Sequence, residues 1–322
     1  MKPLDFIWAI ELAYDRTHDD ARWLNDLAAA VAPAFSSGPA TTAFFFDVDA
    51  EDAHVGSAVS VGDRPYTRDH YAAQHEVGRA NDRSTREVYE CDMFTLLSRV
   101  VGPELAAKSI REAGMKGEDA LGLRANATAE SGVIFTTHVE RGYRIRQRAL
   151  WTRFAAHVGS ALRLRRASRA LTPDSALAVL TPSGRLEHGN DRAIAARDDL
   201  GTAAKDIDRA RGKLRRLDAD AASALWRAMV SGEWSLVDYF DHDGKRFLLA
   251  QENQVPVVGR KVLTDRERQV VACAAMGHSN KLIAYDLGLS TGTISVILSR
   301  AAEKLGVSGR VALIRAFRER TE

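Results

Sequence analysis

The chain has 322 residues, 45 % hydrophobic and 27 % charged, the balance of a globular protein with room for two or three domains. No run of about eighteen apolar residues occurs, and Asp5 and Glu11 interrupt the opening apolar stretch. That excludes a membrane span or signal peptide there, and a cytoplasmic protein is expected. The net charge of +2 is uneven: from Arg260 onward 11 Lys/Arg face 6 Asp/Glu, whereas residues 1–259 carry a net −3. A basic tail on a slightly acidic body suits contact with a polyanion.

In chain order, residues 4–35 carry a helical pattern that ends at Pro33 or soon after. Residues 41–48 and 56–61 are β-rich. Asp47, Asp49, Glu51 and Asp52 between them do not form a calcium loop, because the sixth and twelfth positions from Asp47 are Asp52 and Ala58 rather than Gly and Glu. An acidic hairpin turn is expected instead. Ser84 and Glu87 form a capping box, and Met93, Leu96, Leu97 and Val100 follow at helical spacing. Pro103 starts a helix to about Ala113. Residues 119–127 and 133–139 read as strands. A long helix covers roughly 145–170, with Trp151, Phe154, Val158 and Leu162 on one face as a candidate seam of a homodimer. Residues 141–169 hold nine arginines and no Asp or Glu. A solvated or paired face is the preferred reading over a second nucleic-acid contact or an anion site.

This order of elements over residues 1–170 resembles a GAF-type sensor domain. The resemblance implies a sheet flanked by helices, with a pocket for a small-molecule effector on one face. In residues 171–255, a hairpin crosses Pro182-Ser183-Gly184, helices fill 190–230, and 235–239 pairs with 246–251 across Asp243-Gly244, a strong turn signal. This smaller unit resembles a reduced PAS-like sensor. Residues 256–262 are a linker.

The last segment, 263–322, has the pattern of four short helices. Thr264 and Glu267 form a capping box, and Val270, Val271 and Ala274 give that helix an apolar face up to Gly277. Ser279 caps a second helix that Gly288 ends in a left-handed turn. Ser290 caps a third, with Ile294, Ile297, Leu298 and Ala301 buried, ended by Gly306; a fourth begins at Arg310. Two helices across a tight Gly-containing turn make a helix-turn-helix, whose second helix fits the DNA major groove. The segment resembles the LuxR-type DNA-binding domain found in LuxR, NarL- and FixJ-like regulators. The resemblance rests on Leu263-Thr264, Arg266-Glu267, Gly277, Ser279-Asn280-Lys281, Ile283-Ala284, Leu287-Gly288, Ser290, Thr293, Lys304-Leu305-Gly306-Val307 and Arg310. It implies double-stranded DNA as partner, met by Ser279, Asn280, Lys281, Ser290, Thr291, Thr293, Ser295, Val296, Ser299, Arg300, Lys304 and Arg310. Three positions depart from the family: Leu282 stands for the usual Glu, and Ser295 and Ile297 for a Lys and a His near phosphates. Phosphate contact is therefore expected from Lys281, Arg300, Lys304 and Arg310.

Cys91 and Cys273 fall in helical apolar patterns and read as buried thiols, without metal spacing. The histidines lack the H-E-x-x-H spacing, and neither a G-x-S-x-G elbow nor a phosphate loop is present, so neither an enzyme nor a cofactor is expected. The expected whole is an α+β, GAF/PAS-like sensor region followed by an all-α helix-turn-helix domain: a one-component transcription regulator. The alternative is a protein-interaction regulator whose divergent helix-turn-helix serves as a dimer or partner surface.

Overall fold

The computed structural model describes residues 5–35, 38–48, 52–81, 93–128, 130–144, 146–167, 172–226, 234–252, 263–305 and 307–319. It divides into two compact units, Met1–Arg165 and Arg166–Glu322. The capping box at Ser84 and Glu87, Cys91, Gly306 and the linker at 256–262 lie outside the described residues.

The first unit is built on an antiparallel sheet of order β2-β1-β5-β4-β3, from β1 (Ala40–Val48), β2 (Ala53–Gly62), β3 (Phe94–Leu96), β4 (Asp119–Asn126) and β5 (Ser131–Val139). Every residue of the central β5 is buried, because helices cover both sheet faces and no solvent side is left to enforce alternation. On one face lie α1 (Phe6–Tyr14), α2 (Asp20–Phe35) and the long α6 (Arg148–Ala167). There Trp23 stacks on Phe45 at 6.3 Å, and Phe154 meets Phe135 at 5.6 Å. On the other face, α3 (Arg68–Arg79) and α5 (Pro103–Glu112) enclose a core that includes Phe44, Tyr71, Ile110 and Ile134. A one-turn α4 (Ser98–Val101) precedes α5.

Three expectations change here. The opening helix is two helices, because Asp15 turns back to accept from the Thr17 amide at 2.8 Å and Asp19 accepts from the Arg22 amide at 2.8 Å. Phe94–Leu96 is a strand rather than part of a helix, since its backbone is claimed by the register Phe94↔Leu123 to Leu96↔Leu121. Trp151, Phe154, Val158 and Leu162 are not a seam for a partner. All four are buried within this unit, Trp151 edge-on to Phe6 at 5.0 Å and Phe35 at 5.1 Å. The arginine run is largely paired: Arg141 meets Glu104 at 3.0 Å, Arg163 donates to the Asn126 carbonyl at 3.3 Å, and Arg165 meets Asp20 at 2.9 Å while lying over the Trp23 ring.

Burial holds three histidines of this unit neutral. His157 is lowered to about 3, with Arg153 adding to the effect; His75 and His138 are lowered to about 4, with His54 and His70 as lesser contributors. A depressed folded pKa means that the unfolded chain binds more protons once pH falls below about 6.5, so stability is full above that value and declines between about 6.5 and 4. Each histidine contributes a slope of up to about 1.4 kcal/mol per pH unit within its window. Melting followed by tryptophan fluorescence is expected to fall steadily as pH drops from about 6.5 to 4. A flat melting temperature across that range would show that these rings are not held neutral.

The second unit contains a four-stranded antiparallel sheet of order β7-β6-β9-β8, with β6 (Ala178–Leu180), β7 (Leu186–Gly189), β8 (Trp234–Phe240) and β9 (Arg246–Glu252). Helices α7 (Asp191–Ala195), α8 (Arg197–Arg209) and α9 (Ala219–Leu225) fill the interval between the hairpins. Gly244, at φ 76°, closes the second hairpin in the left-handed conformation that its Asp-Gly sequence calls for. Asp238 binds both Arg211 and Arg246, the latter at 2.9 Å, which ties the turn that follows α8 to this hairpin. Four more helices follow: α10 (Asp265–Ala275), α11 (Asn280–Leu287), α12 (Thr291–Leu305) and α13 (Arg310–Glu319).

Candidate nucleic-acid interface

Local chemistry sets each end of these helices. The Thr264 hydroxyl accepts from the Glu267 amide at 3.3 Å, and Glu267 accepts from the Thr264 amide at 2.8 Å, a closed capping box. Ser279 caps α11 by accepting from the Leu282 amide at 3.3 Å. Gly288, at φ 66° and ψ 28°, ends α11 left-handed. Ser290 caps α12 by accepting from the Thr293 amide at 3.0 Å. The chain bends by 105° between α11 and α12, the angle of a helix-turn-helix. Ile283, Leu287, Ile294, Leu298, Ala301 and Leu313 are buried in one shared core that fixes this angle. Ile297, expected inside, is half-buried at its edge.

The outer face of α12 presents Thr291, Thr293, Ser295, Val296, Ser299 and Arg300 to solvent, with Val296 50 % exposed. With 15 residues, α12 spans about 22 Å, enough to lie along a major groove. Ser279 and Lys281 are exposed at the start of α11. Lys281 and Arg300 are the cations of the expected phosphate set that have no side-chain partner among the described residues.

The other expected contacts have different partners. Lys304 donates to Glu267 at 2.8 Å, so it locks α12 to the capping box of α10. Burial raises the Glu267 pKa, but the Lys304 ammonium and the Thr264 donors outweigh this and hold the carboxyl below its usual range. Arg310 reaches from α13 to donate to the Asn280 side-chain oxygen at 2.5 Å and to the His278 carbonyl. Asn280 in turn donates to the Ser295 hydroxyl at 3.1 Å, and Ser295 donates to the Thr291 carbonyl at 3.1 Å. Ser295 thus anchors the turn between α11 and α12, a role that its side-chain type alone does not announce. Leu282, at 5 % exposure, is buried where the related pattern has Glu. Beside it, Tyr285 donates its hydroxyl to the Ser223 carbonyl of α9.

Sequence reading also missed a buried pair, His278 Nδ1 to Asp286 Oδ2 at 2.8 Å, which joins the turn before α11 to its last turn. Cys273 lies close by, and these three residues bring one donor atom each to within 4.8 Å of one another. The set is one donor short of a closed tetrahedral site. Their chain spacing of five and eight residues matches no recognised metal motif, so nothing in the sequence flags them.

Residues 261–317 match the family described as bacterial regulatory proteins, luxR family. The C-terminal domain is of LuxR type. Transcriptional regulatory protein FixJ of Azorhizobium caulinodans is 39 % identical across 67 residues, 20 % of this chain and 32 % of its own. Transcriptional regulatory protein UhpA of Escherichia coli is 51 % identical across 53 residues, 16 % of this chain and 27 % of its own. Transcriptional regulatory protein DesR of Bacillus subtilis is 38 % identical across 58 residues, 18 % and 29 % respectively. The chain thus spans less than a third of the length of each relative. The LuxR-type likeness therefore concerns the four C-terminal helices and leaves the two sheet-containing regions to be read from their own residues. Among the described residues, no single helix is long and apolar enough to cross a membrane.

Proposed function

We propose that this protein is a sequence-specific, DNA-binding transcription regulator of the cytoplasm, in which GAF-like residues 1–170 and PAS-like residues 171–255 govern a LuxR-type domain at 263–322. The carrying observation is the family match over 261–317, on helices whose 105° bend leaves the polar start of α12 exposed. Thr291, Thr293, Ser295, Val296 and Ser299 form the surface offered to base edges, and the exposed Lys281 and Arg300 supply the phosphate contacts. In a homodimer, two such surfaces would read half-sites about 34 Å apart.

A second reading, a partner-binding surface, draws support from the small number of cations around α12 and from the exposed Val296 and Val311. A salt titration separates the two. Binding of the full chain to a selected genomic duplex, followed by fluorescence anisotropy, is expected to weaken along a straight log–log line as salt rises. Lys281→Ala is expected to flatten that slope by about 0.9 and leave sequence preference intact. Absence of saturable binding at low salt would favour the partner surface.

A further inference from the structure

The sheet face under α3 in the first unit holds a partly open cavity of about 80 Å³. The alternation of β4 sends Ala120, Gly122 and Arg124 to this face, opposite His138, Thr136 and Ile134 of β5. Phe44, Met93, Leu97, Val100 and Ile134 give the cavity an apolar wall. Among the described residues lining it, none is Asp or Glu, and Arg124, only 5 % exposed, carries the one permanent charge. His75 on the α3 side is kept neutral by its burial.

Gly122 supplies a second, independent sign. A glycine inside a strand weakens it and marks a place of close approach. Here a Cβ would meet nothing nearer than the Thr95 carbonyl at 4.0 Å, so the missing side chain is open cavity rather than a crowded contact. A planar guanidinium in a low-dielectric apolar wall recognises a planar anion through paired donors. We propose that this cavity binds a small carboxylic acid with a compact apolar body, its carboxylate on Arg124 and its body over Gly122 against Phe44 and Ile134. Only the name effector for that ligand rests on the sensor role proposed above; the binding itself does not.

Calorimetric titration of the full chain with acetate, hexanoate, octanoate and phenylacetate tests this, with phenylacetamide and inorganic phosphate as controls. At least one of the longer acids or phenylacetate is expected to bind saturably and to raise the melting temperature. Phenylacetamide, which keeps the shape and loses the charge, should bind at least about tenfold more weakly than phenylacetate. Arg124→Gln should weaken carboxylate binding by about ten- to a hundredfold. Gly122→Val should fold, since a β-branched residue suits a strand and the space exists, and should abolish binding. Saturable binding by none of the acids, equal binding of acid and amide, unchanged binding in Gly122→Val, or phosphate binding more tightly than any acid would each overturn the proposal. A chain that binds DNA with a steep salt slope yet takes no acid sinks this inference alone; one that takes the acid but not DNA sinks the regulator reading alone.

Discussion

Arg310→Ala is expected to destabilise the C-terminal domain by about 2–4 kcal/mol, because two charge-assisted hydrogen bonds of a half-buried guanidinium are lost together. The loss goes beyond the arginine itself. Asn280 is left with its side-chain oxygen unmatched, and Asn280 is what holds Ser295 at the start of α12. Against a total stability of about 5–15 kcal/mol for a domain, this change disorganises the angle between α11 and α12. DNA affinity should then fall at every salt concentration, in step with a lower C-terminal melting transition. Arg310→Lys keeps the charge but not the planar fork, and should recover less than half of the lost stability. If Arg310→Ala instead melts like the parent and only flattens the salt slope by about 0.9, Arg310 is a phosphate contact and the clamp is incidental.

The same residue shows where sequence reading reaches its end. Helix starts and stops of the C-terminal domain were legible because they are local: Thr264 with Glu267, Ser279 with the Leu282 amide, Ser290 with Thr293, and Gly288 at its left-handed turn lie within a few residues of their partners. Arg310 and Asn280 are thirty residues apart, and Lys304 and Glu267 thirty-seven. A cation with a distant internal acceptor reads no differently in sequence from one waiting for a phosphate. β3 is the strand counterpart. Met93, Leu96 and Leu97 carry helical spacing, but three residues gain more from a ladder with β4 than from a single turn of helix. The break at Asp15–Asp19 is local too, since Asp15 accepts from the Thr17 amide and Asp19 from the Arg22 amide, but the apolar spacing on either side of it runs on at one helical period.

Trp151→Ala is expected to cost the first unit about 3–5 kcal/mol, the range for deleting a large aromatic from a packed core. Trp151 is 3 % exposed and sits edge-on to Phe6 and Phe35, with Phe94 and Phe154 each 6.1 Å away. Its removal therefore opens a space shared by α1, α2, β3 and α6, which a partner chain cannot reach to fill. A dimer seam and a core stripe share one helical period, so the spacing of Trp151, Phe154, Val158 and Leu162 could not say what covers them; the aromatic contacts from α1 and α2 do. Sedimentation of Trp151→Ala below its melting temperature should give the same oligomeric state as the parent, and its tryptophan-detected transition should fall well below the parental one. Conversion of a fully folded Trp151→Ala protein from dimer to monomer, without loss of melting temperature, would return this stripe to the surface and overturn the packing described for α6.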